Sequence, residues 1–470
     1  MNWKTIFRSL KNKDMQKRLL IVFGIIVVYR FLAFVPVPLA EPTKLKEVVD
    51  SLISNTDLGG IMGMLSGGAL SSFSIILVGL SPFITASIIS QLLTKAIPKL
   101  EELNKDGESG RRKINQWTRI ATVPLAILQS IAFIFILRQT VLATNTTALE
   151  AATMTEWIVS VTAMSAGSVL LMWLGELITE QGIGNGISFL IFGGIISQLP
   201  STLADLIQVL FDTSAGALSV FGWFTIPVNP LMFTLVVVIG LIMLGVLYYL
   251  VKINEAQRII TINYAKRVHG NSNYGGVKSI LPIKLIGAGV IPIIFAVSFL
   301  ALPAFIGQVL KSGGNENFAN LADNLITWFQ TPNPGTFTGS SAEAFIYPVL
   351  YFLLVIMFTY FYTGIVFNSS EIAENLQKQG GFINGVRPGK ATEKHLASIV
   401  NRLTLFGSLS LGLIAVMPFI GEYLLYSITG ITGLNLSLGG TGILIVVSVA
   451  LESLRQLNSR ALMVTYDDYK

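Results

Sequence analysis

Cysteine is absent from this chain, so it can hold neither a disulfide nor a thiolate-bound metal. Histidine is nearly absent as well: His269 and His395 cannot build a histidine-rich metal centre, and no cofactor is expected. Charge is scarce. Asp, Glu, Lys and Arg make up 12% of the 470 residues, against about 25% in soluble domains, while 52% are hydrophobic and the mean hydropathy is +0.67. These proportions describe a polytopic membrane protein.

Catalytic patterns are missing too. There is no HExxH, no phosphate-binding Walker loop and no GxSxG, and no span carries the Ser–His pair or facing aspartates that intramembrane proteolysis would need. The GIGNG string at 182–186 precedes a membrane helix instead of following a strand, so it is not a dinucleotide turn. A membrane enzyme is therefore not supported. A secondary transporter would keep ionisable groups near mid-membrane. Here Glu176, Glu180, Glu422 and Glu452 fall toward span ends, and Asp205 lies near the end of the fifth span.

What is present is a set of apolar runs. A crossing helix needs about 20 residues, and spans are expected near Leu19–Val35, Phe73–Thr94, Trp117–Leu137, Glu156–Leu177, Gly186–Ile207, Leu231–Val251, Leu285–Ile306, Phe345–Phe367, Leu403–Tyr423 and Leu436–Leu454. Placing the N-terminus in the cytosol puts 26 of the 32 Lys and Arg into inner segments. The outer loops then hold only Lys44, Lys46 and Lys311, so both termini are expected inside. Arg30 lies within the first span, where a long cation either snorkels to the outer interface or faces a wet interior. No small-residue cleavage site follows that span, so it reads as retained.

Residues 1–18 form a basic interfacial helix, with Trp3, Ile6, Phe7 and Leu10 on one face. Residues 19–212 make an N-terminal half of five spans, 213–230 an external hinge loop, 231–454 a C-terminal half of five spans, and 455–470 a cytosolic tail. Because each half has an odd number of spans, any duplication must be inverted about an axis in the membrane plane.

Two features stand out. The stretch Leu58, Gly59, Gly60, Ile61, Met62, Gly63, Met64, Leu65, Ser66, Gly67, Gly68, Ala69, Leu70 and Ser71 is too short to cross and rich in glycine, each costing a helix about 1 kcal/mol. It reads either as a weakly held, movable stub or as a static packing element. The inner segments 252–276 and 368–395 are long and hydrophilic. Either they report topology alone, or Arg387-Pro388-Gly389 presents a guanidinium on a rigid turn to an acidic partner or to rRNA phosphate.

Seven strings, spread in order along the chain, carry a resemblance: GLSPFITASIISQLLT (79–94), GRRKINQWTR (110–119), GIGNGIS (182–188), QRIITINYAKR (257–267), GVIPIIFA (289–296), FNSSEIAENLQKQGGFINGVRPG (367–389) and GGTGILIVVSV (439–449). With them the chain resembles the SecY family, the pore subunits of the bacterial protein translocase. The resemblance implies an all-α polytopic protein of ten transmembrane helices in two inverted five-helix halves, a clamshell, with residues 58–71 as a plug helix. It implies a pore ring of Ile84, Ile88, Ile187, Ile191, Ile294 and Ile445, a lateral gate that includes Ile89, Gln129 and Leu302, and partner docking by Arg258, Lys266, Arg267 and Arg387.

The implied function is a passive channel in the bacterial cytoplasmic membrane. It would pass unfolded polypeptides outward and release hydrophobic segments sideways into the lipid bilayer. Implied partners are SecE-like and SecG-like membrane subunits, the SecA motor ATPase, the ribosome, and signal sequences with their nascent polypeptides. A solute transporter with an inverted five-plus-five repeat is the alternative.

Overall fold

The computed structural model describes residues 13–38, 73–143, 153–211, 218–220, 224–226, 230–264, 267–269, 272–274, 278–287, 289, 291–312, 316–332, 342–429 and 436–467. Among these, ten long helices correspond to the ten expected spans: α1 (Lys13–Leu32), α2 (Ser81–Ala96), α4 (Glu108–Ala143), α5 (Met154–Gln181), α6 (Gly186–Leu210), α7 (Pro230–Glu255), α8 (Ile291–Ser312), α10 (Ile346–Val366), α12 (Lys390–Thr429) and α13 (Leu436–Asp467). Three shorter helices join them: α3 (Pro98–Lys105), α9 (Glu316–Phe329) and α11 (Ser369–Lys378). Six of the described segments are both long and apolar enough to cross a membrane unaided.

Local chemistry sets the helix ends. Thr153 and Glu156 form a reciprocal capping box at the start of α5, Gly182 ends that helix in the left-handed region at φ 67°, and Asn185 then caps α6. The expected span Phe73–Thr94 is corrected: helix α2 starts only at Ser81. Gly79 takes φ 63°, and Pro82, which lacks a donor, sits in the first turn.

Residues 73–80 instead form a turn held from several sides. Val37 N–H donates to Phe73 O at 2.9 Å, Ile75 N–H to Val35 O at 3.0 Å, and the Ser168 hydroxyl to Gly79 O at 2.8 Å. A side chain at Gly167 would overlap the Ile75 carbonyl, so α5 comes up against this turn because that residue is glycine. Phe73, Leu77 and Val78 then join Val37, Phe133, Leu137 and Met164 in a buried cluster, against which Phe305 and Val309 of α8 pack.

The chain divides into two compact units. One comprises Met1–Thr234, Val297–Tyr347 and Pro418–Lys470; the other comprises Leu235–Ala296 and Pro348–Met417. Strands are the main addition to the all-helical expectation. Hairpins pair β1 (Leu218–Val220) with β2 (Phe224–Ile226), and β4 (Arg267–His269) with β5 (Ser272–Tyr274). A three-stranded antiparallel sheet, in the order β6 (Lys278–Lys284), β3 (Gln257–Tyr264), β7 (Gly381–Ile383), lies in the second unit. The run QRIITINY explains its central strand: Ile260 and Ile262 are buried while Ile259 and Thr261 are exposed, the two-residue alternation of a half-buried strand.

Candidate functional site

The second unit carries a platform built from the two hydrophilic segments. Strand β3 pairs on one side with β6, Arg258 opposite Ile283, and on the other with β7, Ile262 opposite Ile383. Under the sheet, Ile260, Ile283 and Ile383 meet Leu396 and Val400 of α12, with Phe367, Ile372 and Val386 at the margin. Burying aliphatic side chains at about 1.5–3 kcal/mol each makes this sheet a stable body instead of a pair of loose loops. At Gly381 the β3–β7 pair is close: a Cβ there would lie 3.1 Å from the Tyr264 ring and 3.2 Å from Ile262, so a larger residue would make those side chains shift.

The turn after β7 carries Arg387. Gly385 and Gly389 take φ 79° and 94°, Val386 N–H donates to Ile383 O at 3.1 Å, and the Thr392 hydroxyl donates to Arg387 O at 2.9 Å. Asn263 of β3 donates to Asn384 Oδ1 at 2.6 Å, tying the turn to the sheet. The Arg387 backbone is thus fixed while its side chain is exposed, and Arg258 is exposed on the same body. Among the described residues neither forms an ion pair. A cation held without a counter-ion can meet a carboxylate or phosphate at little cost in rearrangement. Of the other expected docking residues, Lys266 lies outside the described residues, and Arg267 is described only through its backbone, as the first residue of β4.

Sequence reasoning missed four further cations of this platform: Lys278 and Lys284 on β6, and Lys390 and Lys394 in the first turns of α12, all exposed. The sign of the loops pointed to them as topology markers. Only strand pairing shows that Gln257 and Lys284 face each other, which places β6 beside Arg258.

Of the expected ring, Ile84 and Ile88 on α2, Ile191 on α6, Ile294 on α8 and Ile445 on α13 are buried. Ile187 is half-buried at the first turn of α6, where α5 crosses closely: a Cβ at Gly175 would lie 3.2 Å from Ile187 Cγ1. The plug stretch, residues 58–71, lies outside the described residues.

Of the expected gate, Ile89 is exposed, Leu302 is half-buried and Gln129 is buried. Among the described residues Gln129 Oε1 has no hydrogen-bond partner, nor do Thr85 Oγ1 on α2 and Ser298 Oγ on α8. Helices α2, α4 and α8 thus each carry a buried polar side chain. Arg30 sits with its guanidinium 5.6 Å from the Phe34 ring centre, and Glu176 pairs with Arg119. Among the described residues no cluster of His, Asp and Glu could hold a metal ion.

A family model described as SecY matches residues 74–454. The protein translocase subunit SecY of Streptomyces coelicolor is 39% identical over 470 residues, covering 98% of this chain and 98% of the relative. That of Corynebacterium glutamicum is 39% identical over 466 residues with the same coverage. Among solved structures, a protein conducting channel aligns with a TM-score of 0.59 at 19% identity, covering 94% of this chain and 91% of that one. A SecY channel studied for its plug domain gives 0.60 at 19% over the same shares, and canine Sec61 in a ribosome-channel complex gives 0.56 at 18%.

Proposed function

Since this chain belongs to the SecY family, we propose that it forms the protein-conducting path of a membrane translocase, passing unfolded polypeptides across the bilayer and releasing apolar segments into it. The observation that carries this reading is the match to translocase subunits along 98% of the chain at 39% identity. The ten helices are grouped as two inverted halves, residues 19–212 and 231–454, joined at 213–230, with residues 1–18 and 455–470 as flanking cytosolic segments. The chain itself catalyses nothing; a nucleotide-driven motor or the ribosome supplies the energy. It resides in the bacterial cytoplasmic membrane with both termini in the cytosol, accompanied by SecE-like and SecG-like subunits.

Within that reading Ile84, Ile88, Ile187, Ile191, Ile294 and Ile445 form an apolar collar. Stiff β-branched side chains at a constriction exclude water and ions yet deform around a chain in transit. Residues 58–71 close the path. A SecY protein of the same fold has a plug domain that stabilises the closed state and maintains a membrane seal, and a glycine-rich stub suits that role. Helices α2 and α8 part at Ile89 and Leu302, with Gln129, to let signal sequences reach lipid at about 25 cal/mol per Å² of apolar surface removed from water. The platform of Arg258, Lys266, Arg267 and Arg387 meets acidic surfaces of a SecA-like motor or ribosomal RNA. Canine Sec61, which shares this fold, occurs in a ribosome-channel complex.

The test is reconstitution. Vesicles containing this chain with its membrane partners should import a secretory precursor when SecA and ATP are supplied. A variant lacking Gly59–Ser71 should assemble normally but conduct ions when unoccupied. Import of a small solute without import of precursor would favour the transporter instead, and unchanged conductance in the deleted form would remove the plug.

A further inference from the structure

Helix α9 (Glu316–Phe329) follows the end of α8 after only Gly313, Gly314 and Asn315. Four residue steps separate Ser312 from Glu316, a reach of at most about 14 Å, so α9 begins close to the level at which α8 ends. It is laid back on α8: a Cβ at Gly307 would lie 3.0 Å from Ile326 Cγ1 and 3.0 Å from Leu325 Cβ. Gln308 donates to Gln330 at 3.4 Å, and Lys311 pairs with Asp323 at 2.9 Å.

The apolar side of α9 is wider than what α8 covers. At Gly307 the α8 face meets Ala322, buried, and the half-buried Leu325 and Ile326, and the short 3-10 helix Ala342–Phe345 also packs on α9. Beside this covered strip, at helical spacing, Phe318, Leu321 and Trp328 form a second strip that is 47%, 49% and 41% exposed. The polar side, Asn320, Asn324 and Thr327, is also exposed. Single exposed apolar residues are ordinary, but three on one face next to a packed face make an amphipathic surface helix with an unfilled half. The α8 surface beside it is exposed and apolar as well, at Phe299 and Ile306, on a helix long and apolar enough to cross a membrane.

We infer that α9 is an interfacial helix: Phe318, Leu321 and Trp328 seat in the headgroup–acyl boundary of the leaflet where α8 ends, and this seat fixes that end of α8. Tryptophan belongs at such a boundary, apolar in body and polar at its N–H. The acids Glu316 and Asp323 leave no basic stripe for anionic headgroups, so burial of the apolar strip supplies the attraction. The consequence reaches inward. Phe305 and Val309 of α8 pack on the cluster around Phe73, Leu77 and Val78, so a lipid-seated α9 braces the turn that follows residues 58–71. Assigning the leaflet as the outer one rests on the topology proposed above.

The test uses the cysteine-free full chain with its membrane partners in vesicles. Single variants Phe318→Cys, Leu321→Cys and Asn320→Cys carry an environment-sensitive dye, read against lipids bearing a nitroxide near the headgroup or near the acyl terminus, and against aqueous iodide. At 318 and 321 the shallow nitroxide should quench at least about twice as strongly as the deep one, as for a face buried roughly 5–10 Å. Position 320 should answer to iodide. Equal iodide quenching at 320 and 321 would place the strip in water, and protection of 318 and 321 from both quenchers would place it under a protein partner; either overturns the inference. Two independent reporters guard against one misfolded variant. The depth readout involves no transported polypeptide, so its failure leaves the translocase reading standing, and failed import leaves the depth result standing.

Discussion

At Gly186 a single hydrogen atom decides how closely two helices meet. A Cβ there would overlap the Gly175 carbonyl across the α5–α6 contact, and the Gly186 N–H is already used by Thr179 Oγ1 at 2.9 Å. Backbone cannot yield as a side chain does, so Gly186→Ala should cost about 1–3 kcal/mol or more, read as earlier thermal unfolding in detergent. At Gly240 on α7 an added Cβ would meet nothing within 4 Å, so Gly240→Ala should be neutral or slightly stabilising. Equal losses in the two variants would refute the close-contact explanation. At Ile445, which is 3% exposed, an asparagine would bury an amide. An unpaired amide costs about 1–3 kcal/mol and so weakens the closed state relative to an open, wetter one. Ile445→Asn should therefore raise export of a precursor with a defective signal, and unchanged export at normal abundance would argue against the collar.

Among the elements, the ten long helices were legible because twenty apolar residues in a row have few other uses. The start of α2 was not. Residues 73–80 are as apolar as a span, and only the left-handed Gly79 with Pro82 stops the helix there. The proposed docking platform was half legible. The Arg387-Pro388-Gly389 turn pointed to Arg387 and the family resemblance to Arg258, but the sheet that joins segments more than a hundred residues apart depends on pairing register, which composition does not report. That sheet gives the next prediction its control. Arg387 is exposed on a turn whose backbone is held by Thr392 and Asn263, so Arg387→Glu should leave abundance and unfolding temperature unchanged. It should nevertheless cut SecA-driven import severely, because the docked acidic surface is now repelled. Import at the parental rate would remove Arg387 from the docking surface.

At the level of the whole molecule, the question is whether transport needs helices to separate or only a site to change its facing. A carrier rocks about a fixed binding site and is indifferent to a tether long enough to span its moving parts. A channel that must admit a polypeptide is limited by how far its walls can part. The absence of cysteine allows a clean measurement with one engineered pair. In the proposed gate Ile89 on α2 stands opposite Leu302 on α8; the first is exposed and the second half-buried. A disulfide needs Cα atoms about 4.4–6.8 Å apart, so Ile89→Cys with Leu302→Cys should oxidise only while the gate is shut. The oxidised form should block export and reduction should restore it. A long flexible crosslinker at the same two positions should let cargo through, since it permits separation while still joining the helices. Efficient oxidation with undiminished export would sink the lateral gate, and a block that persists whatever the crosslinker length would point to a rigid carrier.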